Sequence, residues 1–271
     1  MRASGRGGAR ERTGTVPVAA GALALMAALF FLVPLAGLIQ RAPWTSLGRH
    51  LGDPEVREAL RLSLVCSAAA TALSVLVGVP LAWGLARAEF RGRRLVRALT
   101  TLPMVLPPVV GGVALLLAFG RNGLAGQWLD QWFGIRLPFT TSGAVLAEAF
   151  VAMPFLVLTA EAGFRSADRR LEDAARTLGA RPWTVFRRVT LPLVAPSLGA
   201  GAVLCWARAL GEFGATITFA GNFPGETQTT PLKVYLLLES RPDAAIVLSL
   251  LLLVVSLAVL VGLRDRWLGS G

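Results

Sequence analysis

The sequence predicts an all-α fold: a polytopic membrane helix bundle of about six transmembrane helices. Of the 271 residues, 54% are hydrophobic and only 16% are charged, whereas soluble domains carry about 25% charged residues. The apolar residues form blocks long enough to cross a bilayer core. The net charge of +11 comes from arginines that cluster in loops on one side of the predicted membrane. The positive-inside rule explains this charge better than nucleic-acid binding, which we do not expect.

The first part of the chain contains one predicted span. Residues 1–15 are rich in Gly and Arg and are predicted to form a cytoplasmic basic tail. Residues 16–61 hold the first transmembrane helix and an outer loop. The apolar block 16–39 favours a retained span over a cleaved signal peptide, because it is long and lacks a convincing cleavage site. Asp53 followed by Pro54 predicts a helix start near the end of the loop.

Residues 62–263 form the predicted core. Its five further spans are 62–86, 102–119, 142–164, 192–211 and 244–263. Small residues fill the first of these, which allows close helix approach. Pro103, Pro107 and Pro108 predict that the second is kinked or interrupted at its start.

Six spans place both termini and every basic loop on the cytoplasmic side of the cell (inner or plasma) membrane. This orientation includes the C-terminal segment 264–271 with its arginines. The segment 211–243 is then expected on the outer side. Within it, residues 231–240 are expected to form a short helix at the membrane interface.

The chain shows no pattern typical of an enzyme. Cys66 and Cys205 lie inside apolar spans and are predicted to be small packing residues. His50 lies in a loop without obvious ligand partners. No GxxxxGK[ST] phosphate loop is present, so the chain is not expected to bind ATP through that motif. We expect no catalytic residue, no metal and no cofactor in this chain.

The polar loop 165–191 carries unusually dense structure signals. Asp168 is a suitable cap for a helix over 169–178, and acidic residues follow where the helix dipole favours them. Gly179 is suited to end that helix in a left-handed turn. Pro182 is suited to begin a second short helix. Two short helices are therefore predicted to project into the cytoplasm.

The first of these helices has an apolar face formed by Leu171, Ala175 and Leu178. This face is suited to enter a groove of another chain. It is equally suited to pack on its own protein. Composition alone leaves both interpretations open.

The spacing within the loop resembles the EAA loop of ABC importer permeases. Asp173-Ala-Ala is followed by three residues, Gly179, nine further residues, and then Val189-Thr-Leu-Pro192. Asp173 stands where the family usually has Glu, and Val189 where it usually has Ile. The resemblance implies a type I ABC permease fold and a loop that couples to a separate ATPase. The coupling residues it implies are Glu172, Asp173, Ala174, Ala175, Gly179, Leu191 and Pro192.

A second stretch resembles permeases of the molybdate/tungstate and sulfate/thiosulfate importers. It begins with Ala-Arg-Ala-Leu-Gly-Glu-Phe-Gly-Ala-Thr-Ile at 207–217 and continues to Pro231. Its Pro-Gly-Glu-Thr-Gln-Thr segment is more similar to the molybdate branch. The resemblance implies the permease subunit of an ATP-driven importer for an oxyanion, with molybdate favoured over sulfate, thiosulfate or tungstate.

The resemblance also implies the partners. They are a dimer of ATPase subunits that binds ATP and Mg, an extracytoplasmic solute-binding protein, a second permease copy and membrane lipid. A secondary transporter or channel is a rival, but it would have no need for the ordered loop. A methionine or amino-acid permease would share the EAA loop but not residues 207–231.

Charged residues inside spans are functional candidates by default. Arg208 and Glu212 are spaced i, i+4, which favours a structural pair. The alternative is that Arg208 helps an anion pass while Glu212 holds or gates it. Glu148 and Glu161 would repel an anion and are expected to serve packing or a polar interface. The candidate path or gate residues are Arg208, Glu212, Gly214, Thr216 and Thr218.

Overall fold

A computed structural model describes residues 18–268. The predicted tail 1–15 and the last three residues of the segment 264–271 lie outside the described residues. The chain divides into two compact units, Met1–Ala42 and Pro43–Gly271. The first contains α1, Val18–Gln40, whose 23 residues extend about 34 Å at 1.5 Å per residue. The predicted first span is therefore a helix long enough to cross a bilayer.

The second unit is helical throughout, apart from its connecting loops. A 3₁₀ turn at Leu102–Met104 follows α4, and a π-helical turn at Phe186–Thr190 joins α9 to α10. The helices are α2 Leu47–Gly52, α3 Pro54–Arg87, α4 Arg93–Thr101, α5 Pro108–Phe119, α6 Gly126–Phe133, α7 Thr141–Ser166, α8 Arg169–Thr177, α9 Pro182–Val185, α10 Leu191–Leu210, α11 Gly214–Phe219, α12 Thr230–Ser240 and α13 Pro242–Leu268.

The predicted start of α3 is confirmed, but the helix begins before the predicted span. The Asp53 side chain accepts a hydrogen bond from the backbone N–H of Glu55, 3.0 Å away, and Pro54 is the first helical residue. Residues 54–61, which were assigned to the end of the outer loop, form the first turns of α3 and are continuous with the predicted span. Two acids at this helix start are paired: Lys233 Nζ lies 2.6 Å from Glu55 Oε2, and Arg241 Nη1 lies 3.0 Å from Asp53 Oδ2. These ion pairs tie the first turn of α3 to α12 and the residue after it.

The centre of the second unit is the packing of α3, α7 and α10. The small residues predicted to allow close approach are buried on α3, and a side chain at Gly78 would meet Val157 Cγ2 at 3.1 Å. A side chain at Gly201 of α10 would likewise meet Leu156 Cδ1 of α7 at 3.1 Å. Cys66 and Cys205 are buried, free and part of this packing, as predicted. Small residues therefore set the helix spacing in the core.

The third predicted span is broken, as its prolines predicted. The α4 segment and α5 meet at a bend of 118°. Alone, the 12 residues of α5 reach only about 18 Å. Five helical segments between residues 20 and 259 are long and apolar enough to cross a membrane, and the bent pair makes six if it counts as one span.

An ion pair between Arg97 and Glu161 connects the bent pair of helices to α7. Glu161 of α7 accepts hydrogen bonds from Arg97 of α4 through both carboxylate oxygens, and Arg165 Nη2 lies 2.8 Å from the same carboxylate. A two-oxygen guanidinium contact fixes orientation as well as distance. Glu161 therefore serves a polar helix interface, one of the two roles expected for it.

The segment 211–243 is not a simple outer loop. Residues 214–219 form α11, which returns into the bundle and packs on α5 and α7. The approach requires glycine, because a side chain at Gly112 would lie 2.6 Å from Thr218 Cβ. Phe219 at the end of α11 is fully buried. The expected short helix over 231–240 is present as α12.

Candidate coupling loop and translocation path

The first helix of the cytoplasmic loop forms as its capping residues predicted. Asp168 Oδ1 accepts a hydrogen bond from the backbone N–H of Arg170 at 2.9 Å, which starts α8. Gly179 adopts φ +81°, and the N–H of Ala180 donates to the carbonyl of Ala175 at 3.1 Å. A left-handed glycine at this position closes the helix end. The loop thus presents a short helix that ends in a tight turn.

The apolar side of α8 faces outward. Leu178 is 88% exposed and Leu171 is 49% exposed. Asp173, Ala174 and Gly179 are also exposed. Ala175, the third residue of this face, is half-buried. Within this chain α8 therefore leaves most of its apolar face uncovered. The geometry favours a docking surface over packing on its own protein.

Glu172 points the other way. It is only 7% exposed, and its Oε1 accepts hydrogen bonds from Arg87 Nη2 at 2.8 Å and Thr190 Oγ1 at 3.1 Å. Its Oε2 lies 3.7 Å from Arg176 Nη2. Glu172 is a predicted coupling residue, but its side chain is directed into its own chain and not toward the exposed surface of the loop.

The second half of the loop leads directly into α10. Trp183 and Phe186 stack with ring centroids 5.7 Å apart, and Phe186 also meets Trp83 of α3 edge to face at 6.1 Å. Leu191 is half-buried and Pro192 is exposed at the start of α10. The predicted coupling residues therefore divide into a tip at 172–179 and a base at the entrance to α10.

Arg208 and Glu212 form the ion pair that their spacing predicted. Arg208 Nη2 lies 2.7 Å from Glu212 Oε2, and Glu212 is 1% exposed. Glu212 Oε1 accepts a hydrogen bond from the backbone N–H of Ala215 at 2.9 Å. Both oxygens of this carboxylate are thus occupied, one by the end of α10 and one by the start of α11. The geometry favours the structural interpretation of the pair.

Replacing Arg208 by Ala should lower the amount of folded protein, because it leaves a buried carboxylate without its cation. We expect a loss of about 3 kcal/mol in the free energy of unfolding. Arg208→Lys should recover much of it by keeping the charge. The measurement is the yield of monodisperse protein in detergent and its thermal midpoint. A well-folded Arg208→Ala protein that has lost transport would instead indicate a role in the anion path.

The other path candidates lie on α11. Gly214 touches the start of α5, since a side chain there would approach Pro108 Cβ to 2.9 Å. Thr218 Oγ1 donates to the Gly214 carbonyl at 2.8 Å. Thr216 is fully buried, and its hydroxyl has no hydrogen-bond partner among the described residues. The structure therefore places Gly214 and Thr218 at the α5–α11 contact and buries Thr216 on the same short helix.

Several polar residues with defined roles were not singled out from the sequence. Arg87 and Arg97 were counted only as part of a basic loop, and Thr190 only as a spacer in the motif. Each contacts a buried carboxylate. Glu148 of α7, by contrast, was expected from the sequence to serve packing or a polar interface; it is 1% exposed, and its Oε2 has no hydrogen-bond partner in the part of the chain that the structure describes. Local sequence signals do not reveal such contacts.

Comparisons with known proteins agree with this architecture. Residues 74–270 match the family model described as the binding-protein-dependent transport system inner membrane component. The chain is 49% identical over 243 residues to the molybdenum transport system permease protein ModB of Mycobacterium tuberculosis (strain ATCC 25618 / H37Rv), covering 90% of this chain and 92% of that protein. It is 36% identical to the sulfate transport system permease protein CysT of Escherichia coli (strain K12), with 84% of each chain covered.

The fold is shared with a solved importer. A bacterial alginate ABC transporter, in complex with its alginate pentasaccharide-bound periplasmic protein, contains a chain that superimposes with a TM-score of 0.71 at 18% sequence identity. The match covers 89% of this chain and 91% of that chain. The family match over residues 74–270 agrees with the helix order, the loop motif and the relatives. The chain belongs to the inner membrane component family of binding-protein-dependent transport systems.

Proposed function

We propose that this chain is the translocation subunit of an ATP-driven molybdate importer and that α8 docks on a separate ATPase. The observation that carries the docking proposal is the exposed tip of the loop. Leu178 is 88% exposed beside Gly179 in its left-handed turn. A short helix that displays an apolar residue and a glycine turn can seat closely in a groove of another protein.

The proposed complex has a full set of partners. Two copies of this chain pair around a central path, with two ATPase subunits below and a solute-binding protein on the outer side. ATP and Mg bind to the ATPase subunits, and both termini of this chain lie in the cytoplasm. This arrangement is supported by the family to which the chain belongs and by the basic charge of the loop 165–191.

In this proposal, ATP binding closes the ATPase pair and moves α8. The spans then change from an inward-open to an outward-open arrangement. Such a cycle requires that ATP and the loaded binding protein each favour one of two states of the permease. The hydroxyls and amides of α11 would give the anion a weak and transient path, because a tight site would slow its release.

Molybdate is favoured over sulfate by two observations. The identity of 49% to the molybdenum permease exceeds the 36% to the sulfate permease. The Pro-Gly-Glu-Thr-Gln-Thr segment at 224–229 is more similar to the molybdate branch. Selection itself rests on the binding protein in this proposal, since the permease would hold the anion only weakly.

The test is uptake by the complete complex in proteoliposomes. We expect molybdate import that requires ATP on the ATPase side and binding protein on the other. Sulfate at equal concentration should be imported more slowly. Uptake that needs no ATP would indicate a secondary transporter or channel. A preference for sulfate would reverse the substrate assignment while leaving the permease role intact.

A further inference from the structure

Glu172 connects three parts of the chain through one carboxylate. It lies on α8, Arg87 is the last residue of α3, and Thr190 is the last residue before α10. The backbone joins α8 only to α7 and to α9. The contact with Arg87 therefore adds a direct connection from the loop to α3, 85 residues away in sequence.

The Arg87–Glu172 contact is made at a single point. Only Nη2 of Arg87 reaches the carboxylate, and it shares Oε1 with the Thr190 hydroxyl. Arg87 Nε is buried without a hydrogen-bond partner among residues 18–268. A guanidinium usually binds a carboxylate through two parallel hydrogen bonds when it serves to fix an orientation. A single-point contact restrains distance but leaves the angle between the two helices free to change.

Glu161 offers an internal contrast. Each carboxylate also pairs with an arginine one turn further along its own helix, Arg165 for Glu161 and Arg176 for Glu172. The difference lies in the arginine from another helix, because Arg97 reaches both oxygens of Glu161 whereas Arg87 reaches one oxygen of Glu172. The Arg97 contact fixes the orientation of α4 against α7 as well as its distance. The same chain thus contains one buried carboxylate with a two-oxygen contact to another helix and one with a single-point contact.

A second contact supports the connection between the loop and α3. Phe186 of the loop lies edge to face against Trp83, one helical turn before Arg87 on the same helix. The end of α3 is therefore held by both halves of the loop, by a polar contact to α8 and an aromatic contact to the π-helical turn. A displacement of the loop that carries both α8 and the π-helical turn would therefore act on the end of α3 at two points.

From this geometry we infer that Arg87, Glu172 and Thr190 form a pivot that transmits movement of α8 to α3 and α10. Glu172 is then a positioning residue inside the permease rather than a contact to the ATPase. The inference rests on the proposed function, because it assumes that an ATPase moves α8. It assigns different tasks to neighbouring motif residues: Leu178 and Gly179 dock, and Glu172 transmits.

The test compares variants of the reconstituted complex in two measurements. The first is the ATPase that co-purifies with the permease, and the second is molybdate imported per ATP hydrolysed. Arg87→Gln and Glu172→Gln should bind the ATPase at the wild-type level. Their import per ATP should fall by at least about fivefold, the lower end of typical coupling effects.

Two further variants separate the pivot from a purely structural role. Arg87→Lys should keep most of the coupling, because one ammonium can supply a single-point contact. The matched control is Glu161→Gln, which should lower the thermal midpoint without changing import per ATP. A structural role for Glu172 would make both glutamate variants behave alike.

Several outcomes would overturn the inference. Unchanged import per ATP in the folded Gln variants would show that the pivot transmits nothing. Loss of the ATPase from Glu172→Gln alone would make Glu172 a docking residue. If the Gln variants do not fold, Thr190→Val can be used instead, because it removes one hydrogen bond of the pivot. Unchanged import per ATP in Thr190→Val would also overturn the inference. A wild-type complex that imports without ATP would instead contradict the proposed function.

Discussion

Replacing Gly179 by Val should abolish association with the ATPase while leaving membrane insertion intact. Gly179 has φ +81°, and a side chain there would meet nothing within 4 Å. The expected effect thus comes from the backbone rather than from a clash. An L-residue in the left-handed region costs about 1–2 kcal/mol, and a β-branched residue is a genuine outlier there. The turn should relax to another conformation and carry the exposed Leu178 away from its docking position.

The chain offers a matched control for this variant. Gly134 ends α6 with φ +65° and also has open space around it. Gly134→Val should therefore impose similar local strain on a helix that has no part in the proposed dock, and the ATPase should still co-purify. Gly179→Asn should retain most of the association, because Asn tolerates the left-handed conformation. Normal transport and normal co-purification by Gly179→Val would remove the basis for docking through α8.

The parts of the loop that could be predicted depend on local signals. Asp168, Gly179 and Pro182 act on the backbone within a few residues of themselves, and the structure shows the start, the turn and the second helix that they predicted. The same is true of Asp53 before α3. Caps and turns of this kind are encoded by residue type and spacing, so one sequence is enough to find them.

What could not be predicted depends on contacts between distant residues. Arg87 was indistinguishable from the other arginines of its loop, because a charge count does not show which guanidinium turns inward. Glu172 was named as a coupling residue from the resemblance, which does not show whether its side chain points inward or outward. The structure pairs these two buried side chains across 85 residues. Pairings of this kind follow from packing of the helices and not from any local pattern.

The packing of α11 on α5 and α7 was not predicted, for a different reason. Residues 211–243 contain polar and turn-forming residues and were assigned as a whole to the outer side. The decisive features are the two glycines, Gly112 and Gly214, which lie on different helices and allow α11 to touch α5. A glycine in an apolar helix signals only that something can approach closely. The partner becomes known only when the chain is folded.

Replacing Gly112 by Ala should displace α11 and sharply reduce transport. The added Cβ would lie 2.6 Å from Thr218 Cβ, 2.9 Å from the Ala215 carbonyl oxygen and 3.1 Å from Ala215 Cα. Two of these three atoms belong to the backbone, so a change of side-chain rotamer cannot relieve the overlap. We expect a cost of about 3 kcal/mol, the upper end for overpacking in a core. Thr216 and Thr218, two of the path candidates, would shift with α11.

Gly84→Ala is the matched control, because a side chain at that position of α3 meets nothing within 4 Å. It should leave the thermal midpoint and transport close to those of the wild type. In Gly112→Ala the ATPase should still co-purify from whatever protein folds, since the hydrogen bonds and ring contacts described for the loop are made with α3 and with the entrance to α10. Import should fall more than ATPase association. If Gly112→Ala is as stable and active as Gly84→Ala, α11 does not hold this close position during transport, and the path residues must be sought elsewhere.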